Sequence, residues 1–301
     1  MSVNWTLVLS ETRPINDVSN QHRKISMSYS EIQSGERFTD AETERIVSCF
    51  LRDGYYDLGS ILEKNEVEAL LVDMNNKWQD PVMHQPEGDQ IRGKSLMRMF
   101  EYSTAFRDLI VREPFASLAE SILGKDCHCM SQNALYSPPD ANGITNGPGG
   151  WHVDDLVHFP LPPEIARHNP EVPLPCFAMQ IFTPLTNVEE IQYGPTQVVP
   201  GSHYAGRGPE EHDHPTFDGN QPHSFLTHST HAYMFNNQIW HRGAPNTSDR
   251  TRLMAGVTYS KRLISQRFYP FIDYRMPDDV WLGASPRLQR MLGRHDKGAY
   301  G

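Results

Sequence analysis

Phe177-Ala178-Met179-Gln180-Ile181-Phe182-Thr183, set between Pro175 and Pro184, is seven residues of mostly β-branched, aromatic and apolar character bounded by breakers. Such a run reads as a strand. The same pattern recurs at 131–136, 151–153, 196–199, 232–235 and 253–259, each run separated from the next by Pro, Gly, Asn or Asp clusters. Six strands of this kind predict a barrel or sandwich, mainly β, with helices packed outside it. Two long irregular segments, 138–150 and 205–230, interrupt the strands, the second rich in His. Loops of that length inside a domain are usually functional lids or disordered.

Working outward, the first third of the chain changes character. Residues 1–38 are polar and aperiodic and read as an arm. Thr39-Asp40-Ala41-Glu42 matches a capping box, which predicts a helix from there to about Asp53, stopped by Gly54. Residues 55–58 read as a short strand. Val67, Leu70, Leu71 and Met74 recur at i, i+3, i+4 and i+7, the spacing of one buried helical face. No repeat or linker divides the chain. It therefore reads as a single domain: arm 1–38, mostly helical support 39–128, β core 129–265 and C-terminal segment 266–301.

Composition narrows the function. Lys and Arg total 27 against 37 Asp and Glu, a net charge of −10 with no basic run, which argues against nucleic acid as a partner. No stretch is apolar enough to span a membrane, and the first thirty residues lack a secretory leader. Four cysteines, Cys49, Cys127, Cys129 and Cys176, are too few and irregular for a disulfide framework and fit a reducing compartment. The expectation is a cytoplasmic protein.

Among fourteen histidines, only His152 is followed two residues later by a carboxylate, Asp154. On an extended segment residues i and i+2 share a face, so both side chains can reach one cation. A composition this rich in His and acids yields one or two such pairs by chance, so the pair alone carries little. Its surroundings carry more. Gly147-Pro148-Gly149-Gly150 delivers Trp151-His152-Val153-Asp154; Trp240-His241 follows 89 residues after His152, and Arg252 opens a strand eleven residues after His241. Two imidazoles and a carboxylate on one side of a metal leave its other side open, as in non-haem Fe(II) oxygenases. An arginine nearby offers a bidentate fork for a dicarboxylate. Taken singly, His241 also reads as a core histidine, and Arg252 competes with Arg242, Arg250 and Lys261.

With Phe50-Leu51-Arg52-Asp53-Gly54-Tyr55-Tyr56, the helix from Glu66 to Leu70, Pro184-Leu185-Thr186-Asn187, Gly194-Pro195-Thr196-Gln197-Val198-Val199-Pro200-Gly201-Ser202-His203 and the closing Lys297-Gly298-Ala299-Tyr300-Gly301, these motifs resemble, in order and spacing, the phytanoyl-CoA dioxygenase family of Fe(II)- and 2-oxoglutarate-dependent oxygenases. The resemblance covers most of the chain from about Phe38 onward. It implies a double-stranded β-helix (jelly-roll, cupin-like) core. It further implies that His152, Asp154 and His241 hold Fe(II), and that Arg252 binds the far carboxylate of 2-oxoglutarate, assisted by Thr196 and Asn133. O2 is then the oxidant, and a C–H bond is hydroxylated, desaturated, epoxidised or rearranged with release of succinate and CO2. Phe182 stands where many relatives carry Trp, and Gly243 where some carry Ser, so the wall around the cosubstrate differs here.

Trp151, Phe159, Phe182 and Trp240 are candidate pocket walls, and the Pro-rich segment 156–175 is placed to line a pocket or a subunit contact. With no basic cluster for a CoA or phosphate group, a small apolar or polycyclic secondary metabolite is the expected substrate. His203 reads as a structural turn residue, Cys127-His128-Cys129 lacks the second pair of a zinc site, and His212, His214, His223, His228 and His231 read as a solvated loop. Asp155 reads as pointing away from Asp154. Two rival classes stay open: a cupin-type metalloenzyme that uses no 2-oxoglutarate, and a non-catalytic partner subunit of the same fold. A homodimer through residues 275–301 is compatible with the sequence but not required by it.

Overall fold

Thr39 opens the first helix, α1 (Asp40–Asp53), by the reciprocal bonds that its sequence predicts: Glu42 N–H donates to Thr39 Oγ1 (3.3 Å) and Thr39 N–H to Glu42 Oε2 (2.9 Å). Gly54 ends it at φ 81°, where its N–H reaches Phe50 O and a side chain would collide with His203. The computed structural model from which these contacts come describes residues 36–80, 91–92, 95–140, 150–210, 213–268 and 274–296. The expected arm up to residue 35, most of the 138–150 loop with its Gly147-Pro148-Gly149, His212 and the closing motif 297–301 lie outside the described residues.

The chain continues through β1 (Tyr55–Ser60), α2 (Lys64–Trp78), β2 (Ile91–Arg92), β3 (Ser95–Met97), α3 (Thr104–Val111) and α4 (Phe115–Leu123). The β region follows as β4 (His128–Ser137), β5 (Ala178–Pro184), β6 (Thr196–Val198), β7 (His223–Ser224), β8 (His231–Asn236), β9 (His241–Gly243) and β10 (Arg252–Ser260), closed by the short helices α5 (Asp278–Trp281) and α6 (Pro286–Met291). All pairings are antiparallel. A seven-stranded sheet runs β1-β8-β5-β10-β4-β3-β2 and a three-stranded sheet β7-β6-β9. This is the mainly β jelly roll with flanking helices that was expected. No helix among the described residues is long and apolar enough to cross a membrane.

Alternation along β10 divides the large sheet into two faces. Leu253, Ala255, Val257 and Tyr259 join Ile181, Met179 and Met234 in one apolar cluster with Phe50, Leu70, Met74, Phe106 and Phe115 of the helices. Their neighbours face the small sheet, where Phe182, Tyr233, Phe235 and Met254 pack with Val198, Phe225 and Ile239. β5 is buried on both faces, which is why 177–183 reads as a continuous apolar run rather than an alternating one.

Several expectations change. Residues 151–153 form no strand; only His152 makes a bridge, to His241. The short strand expected at 55–58 forms as β1, and two further strands that were not expected, β2 and β3, also come from the mostly helical segment; all three extend the large sheet. Leu71 is half-buried, while Val67, Leu70 and Met74 are the buried positions of α2. The 205–230 segment is not purely irregular, since it contributes β7 and pairs Phe217 with Asn220 and Thr227 with Val188.

The turn Pro200-Gly201-Ser202-His203 ties the small sheet to α1. Gly201 N–H donates to Asp53 O (2.8 Å), and His203 Nε2 and the Tyr204 hydroxyl both reach Leu51 O (3.1 Å each). Burial pulls His203 down to about 4, so the ring is neutral and donates from Nε2. Its role in this fold is that of a helix C-terminal anchor.

Candidate metal centre

The backbone bridge between His152 and His241, with N–H to carbonyl distances of 3.0 and 2.9 Å, sets the two imidazoles side by side, ring centroids 4.3 Å apart. Each ring is oriented by its Nδ1: His152 Nδ1 lies 2.8 Å from Gly150 O, and His241 Nδ1 lies 2.8 Å from Ile239 O. A carbonyl only accepts, so the proton sits on Nδ1 and each Nε2 presents a lone pair. Asp154 enters from the turn after His152, its N–H held by Asn237 O (2.9 Å). Asp154 Oδ1 is 3.8 Å from His152 Nε2, and Oδ2 is 3.7 Å from His241 Nε2. Ligand atoms of all three residues lie within 4.8 Å of one another, the single such group among the described residues. His241 is buried while His152 is exposed, so the cluster opens to solvent on one side. Burial lowers the pKa of His241 against the opposing charge of Asp154, which favours the neutral ring.

The supports of Asp154 are residues that sequence reasoning missed. Gln180 of β5 donates its Nε2 to Asp154 Oδ2. Gln238 donates to Asp154 O (3.0 Å) and Leu156 O (3.2 Å) and accepts from His158 N–H (2.7 Å), clamping the turn that carries the carboxylate. A glutamine in the middle of an otherwise apolar strand run is itself a signal, since a buried carboxamide needs a partner. Phe235, in register with Gln180 on the neighbouring strand, packs 4.9 Å from the His241 ring.

Arg252 begins β10 on the same inner face and is buried. It donates to Gly194 O and Ser137 Oγ (3.1 Å), its Nε has no partner, and no carboxylate among the described residues pairs with it. Burial lowers its pKa, yet a guanidinium stays protonated, so a positive charge is held inside the protein. Gly243 leaves room beside it: a Cβ there would stand 3.4 Å from Arg252 Nη2. Thr196, opposite Gly243 in register, accepts a hydrogen bond from the Tyr233 hydroxyl (2.8 Å), which leaves the Thr196 proton free to donate. Burial raises Tyr233 to about 12, so it remains a donor. Asn133 faces the same interior from β4, in register with Gly256, and its buried Oδ1 has no partner.

Of the expected walls, Phe182 lies on the inner face, against Phe235 (5.4 Å) and Tyr233 (6.3 Å). Trp151 and Trp240 do not face the three ligands. The two pack together with Val199 and Ala205, and their indole N–H groups donate to Asp213 O (3.1 Å) and Arg207 O (2.8 Å). Trp240 lines a cavity of about 400 Å³ with Arg167, Arg207, Phe217 and Asp218, none of them a member of the triad. Phe159 packs on Phe177 (5.5 Å). The competing cations are engaged elsewhere: Arg242 stacks over Trp151, Arg250 over Tyr193, and Lys261 donates to Leu123 O. Asp155 pairs with Arg267 (2.5 Å) away from the ligands. Cys127 and Cys129 are buried free thiols, and His128 bonds Ile264 O (2.8 Å). Of the expected solvated histidines, His223 is stacked on Tyr55 and His231 lies in β8.

Comparison with known proteins bears on the family and the fold. An ectoine dioxygenase from Bordetella bronchiseptica is 27% identical over 188 residues, 58% of this chain, and the match spans 56% of that protein's length, little more than half. The structure of EctD from S. alaskensis with 2-oxoglutarate and 5-hydroxyectoine superposes at a TM-score of 0.56, with 20% identity over 75% of this chain and 79% of that one. The epimerase SnoN, in complex with Fe3+, alpha ketoglutarate and nogalamycin RO, gives 0.56 with 19% identity over 74% and 85%. At these identities the two structures speak to the fold. The family profile for phytanoyl-CoA dioxygenase (PhyH) matches residues 50–254, well over half of the sequence, and the chain belongs to that family.

Proposed function

We propose that the chain is an Fe(II)- and 2-oxoglutarate-dependent dioxygenase that oxidises an unactivated C–H bond of a small organic molecule. The observation that carries this reading is the pairing of two features in the interior between the two sheets. One is a group of two imidazoles and a carboxylate with free Nε2 lone pairs; the other is a buried arginine that no carboxylate among the described residues neutralises. The donor set suits iron, and the uncompensated charge of Arg252 suits a dianionic cosubstrate. His152, Asp154 and His241 would hold the metal. Arg252 and Thr196 would bind the far carboxylate, and Asn133, with an unpartnered oxygen, faces the space between. When bound, iron and 2-oxoglutarate supply the oxidising chemistry with O2, releasing succinate and CO2.

The chain's own part is orientation and exclusion of water. The carbonyls of Gly150 and Ile239 fix the tautomers, Gln180 and Gln238 hold Asp154, and Phe182, Phe235 and Met254 dry the inner face. The similarity to an ectoine dioxygenase supports the reaction class. For the substrate, the absence of a basic cluster in the sequence favours a secondary metabolite over an acyl-CoA. The Pro-rich segment 156–175, tied down by Gln238 and by Arg207 donating to Ile165 O (3.2 Å), would line the entrance.

Succinate release, measured with Fe(II), 2-oxoglutarate and a metabolite panel, tests the reading. Wild type should form succinate, including slow uncoupled turnover without substrate, and His152→Ala, Asp154→Ala and His241→Ala should abolish it. Folded, metal-loaded protein that never consumes 2-oxoglutarate would favour the cupin-type or non-catalytic alternative. Thermal stabilisation by acyl-CoA esters but not by terpenoid or peptide-derived molecules would reverse the substrate class.

A further inference from the structure

Asp154 reaches the cluster from a turn, so no strand ladder fixes its carboxylate. By distance alone its oxygens are equivalent, Oδ1 lying 3.8 Å from one imidazole nitrogen and Oδ2 3.7 Å from the other. They differ in their other partner. Gln180 Nε2 donates to Oδ2, and the carboxamide must present its NH2 end because a carboxylate only accepts. Gln180 is 5% exposed and sits between Phe235 and Thr258 in strand register, so its side chain has no alternative placement in water. A buried, packed donor of this kind is a geometric constraint and not a passing contact.

We propose that Gln180 is a positioning residue that engages Oδ2 and thereby keeps Asp154 a one-oxygen ligand through Oδ1. This rests on the metal reading above. Two imidazoles and a single carboxylate oxygen fill half of an octahedral shell and leave three positions, enough for a bidentate 2-oxoglutarate and one further ligand. A carboxylate released from Gln180 is free to chelate with both oxygens, since carboxylates bind cations in either mode. That takes a fourth position and competes with the cosubstrate. The effect falls on cosubstrate binding to the loaded protein rather than on metal retention, which separates it from loss of a ligand.

The test uses the full chain loaded with Co(II) in place of iron. Gln180→Met preserves side-chain volume without a donor, and Gln180→Leu serves if that variant does not fold. The visible ligand-field spectrum of Co(II) and the calorimetric affinity of the Co(II) protein for 2-oxoglutarate are read alongside thermal unfolding. The variant should retain Co(II), show an altered spectrum, and bind 2-oxoglutarate about ten- to a hundred-fold more weakly, the size of loss that outer-sphere partners of metal ligands cause in metal affinity or activity, transferred here to the cosubstrate. An unchanged spectrum with unchanged 2-oxoglutarate affinity overturns the inference alone. Wild type that takes up no Co(II), or His152→Ala that takes it up equally well, overturns the metal reading and this inference with it.

Discussion

Arg252 brings a positive charge into the interior with an unpartnered Nε and no carboxylate among the described residues to meet it, an arrangement that costs stability in the protein without ligands. An anion that binds there removes the penalty, and this asymmetry gives a prediction. Arg252→Met, similar in length and apolar, should leave the ligand-free protein as stable as wild type or more so, because replacing an uncompensated buried charge by an apolar side chain is often neutral or stabilising. The same variant should lose the rise in melting temperature that 2-oxoglutarate gives the metal-loaded wild type, a rise expected from ligand binding to the native state alone. Differential scanning of both proteins with and without 2-oxoglutarate checks it. A variant that is strongly destabilised without ligand, yet still stabilised by 2-oxoglutarate, would show that Arg252 is structural.

At the scale of strands, the inner face depends on one missing side chain. A Cβ at Gly256 would lie 2.1 Å from Phe182 Cε1, so the Phe182 ring occupies the space over β10 that any other residue would fill. Gly256→Ala should destabilise the fold by about 1–3 kcal/mol through overpacking. In a Phe182→Leu background most of that cost should vanish, a coupling that a double-mutant cycle by chemical denaturation reads directly. Additive effects of the two substitutions would show that the contact is not the cause. The longer strands β4, β5, β8 and β10 were legible in sequence, as was the Thr39 capping box, because both are local: period and cap chemistry act within a few residues. The two- and three-residue strands β2, β3, β7 and β9 are too short to carry a period, and 151–153 carried one without forming a strand. His152 with Asp154 was legible as a pair, but its union with His241 and Arg252 depends on pairing across 89 and more residues, and it was the family's motif order that joined them. Trp151 and Trp240 adjoin ligands in sequence, but sequence proximity does not fix where a side chain packs, and both join Val199 and Ala205 in a separate cluster. Gln180 carried a readable signal, a lone carboxamide in an apolar run, whereas Gln238 acts through a turn that no periodicity marks.

For the molecule as a whole, the buried histidines set how stability responds to acid. Burial lowers His128, His158, His223 and His231 below their ordinary range and takes His203 to about 4 from 6.5. Each is neutral in the folded chain and titrates normally when unfolded. Between pH 6.5 and 4 the unfolded state therefore binds more protons, and stability must fall as pH falls across that window. His203 alone, 2.5 pH units displaced, accounts for at most on the order of 3 kcal/mol of that loss. Asp53 opposes the shift, and the lowered Glu42 and Glu113 add to the acid loss only nearer their own range, so the upper part of the window belongs to histidine. Urea midpoints of metal-free protein at pH 7.5, 6.5, 5.5 and 4.5 should decline steadily. His203→Gln, whose carboxamide can still donate to Leu51 O, should lower the midpoint at pH 7.5 modestly and flatten the decline. A profile level from pH 7.5 to 4.5 would mean that these rings take up protons in place, and an unflattened variant would remove His203 from the set that sets the slope.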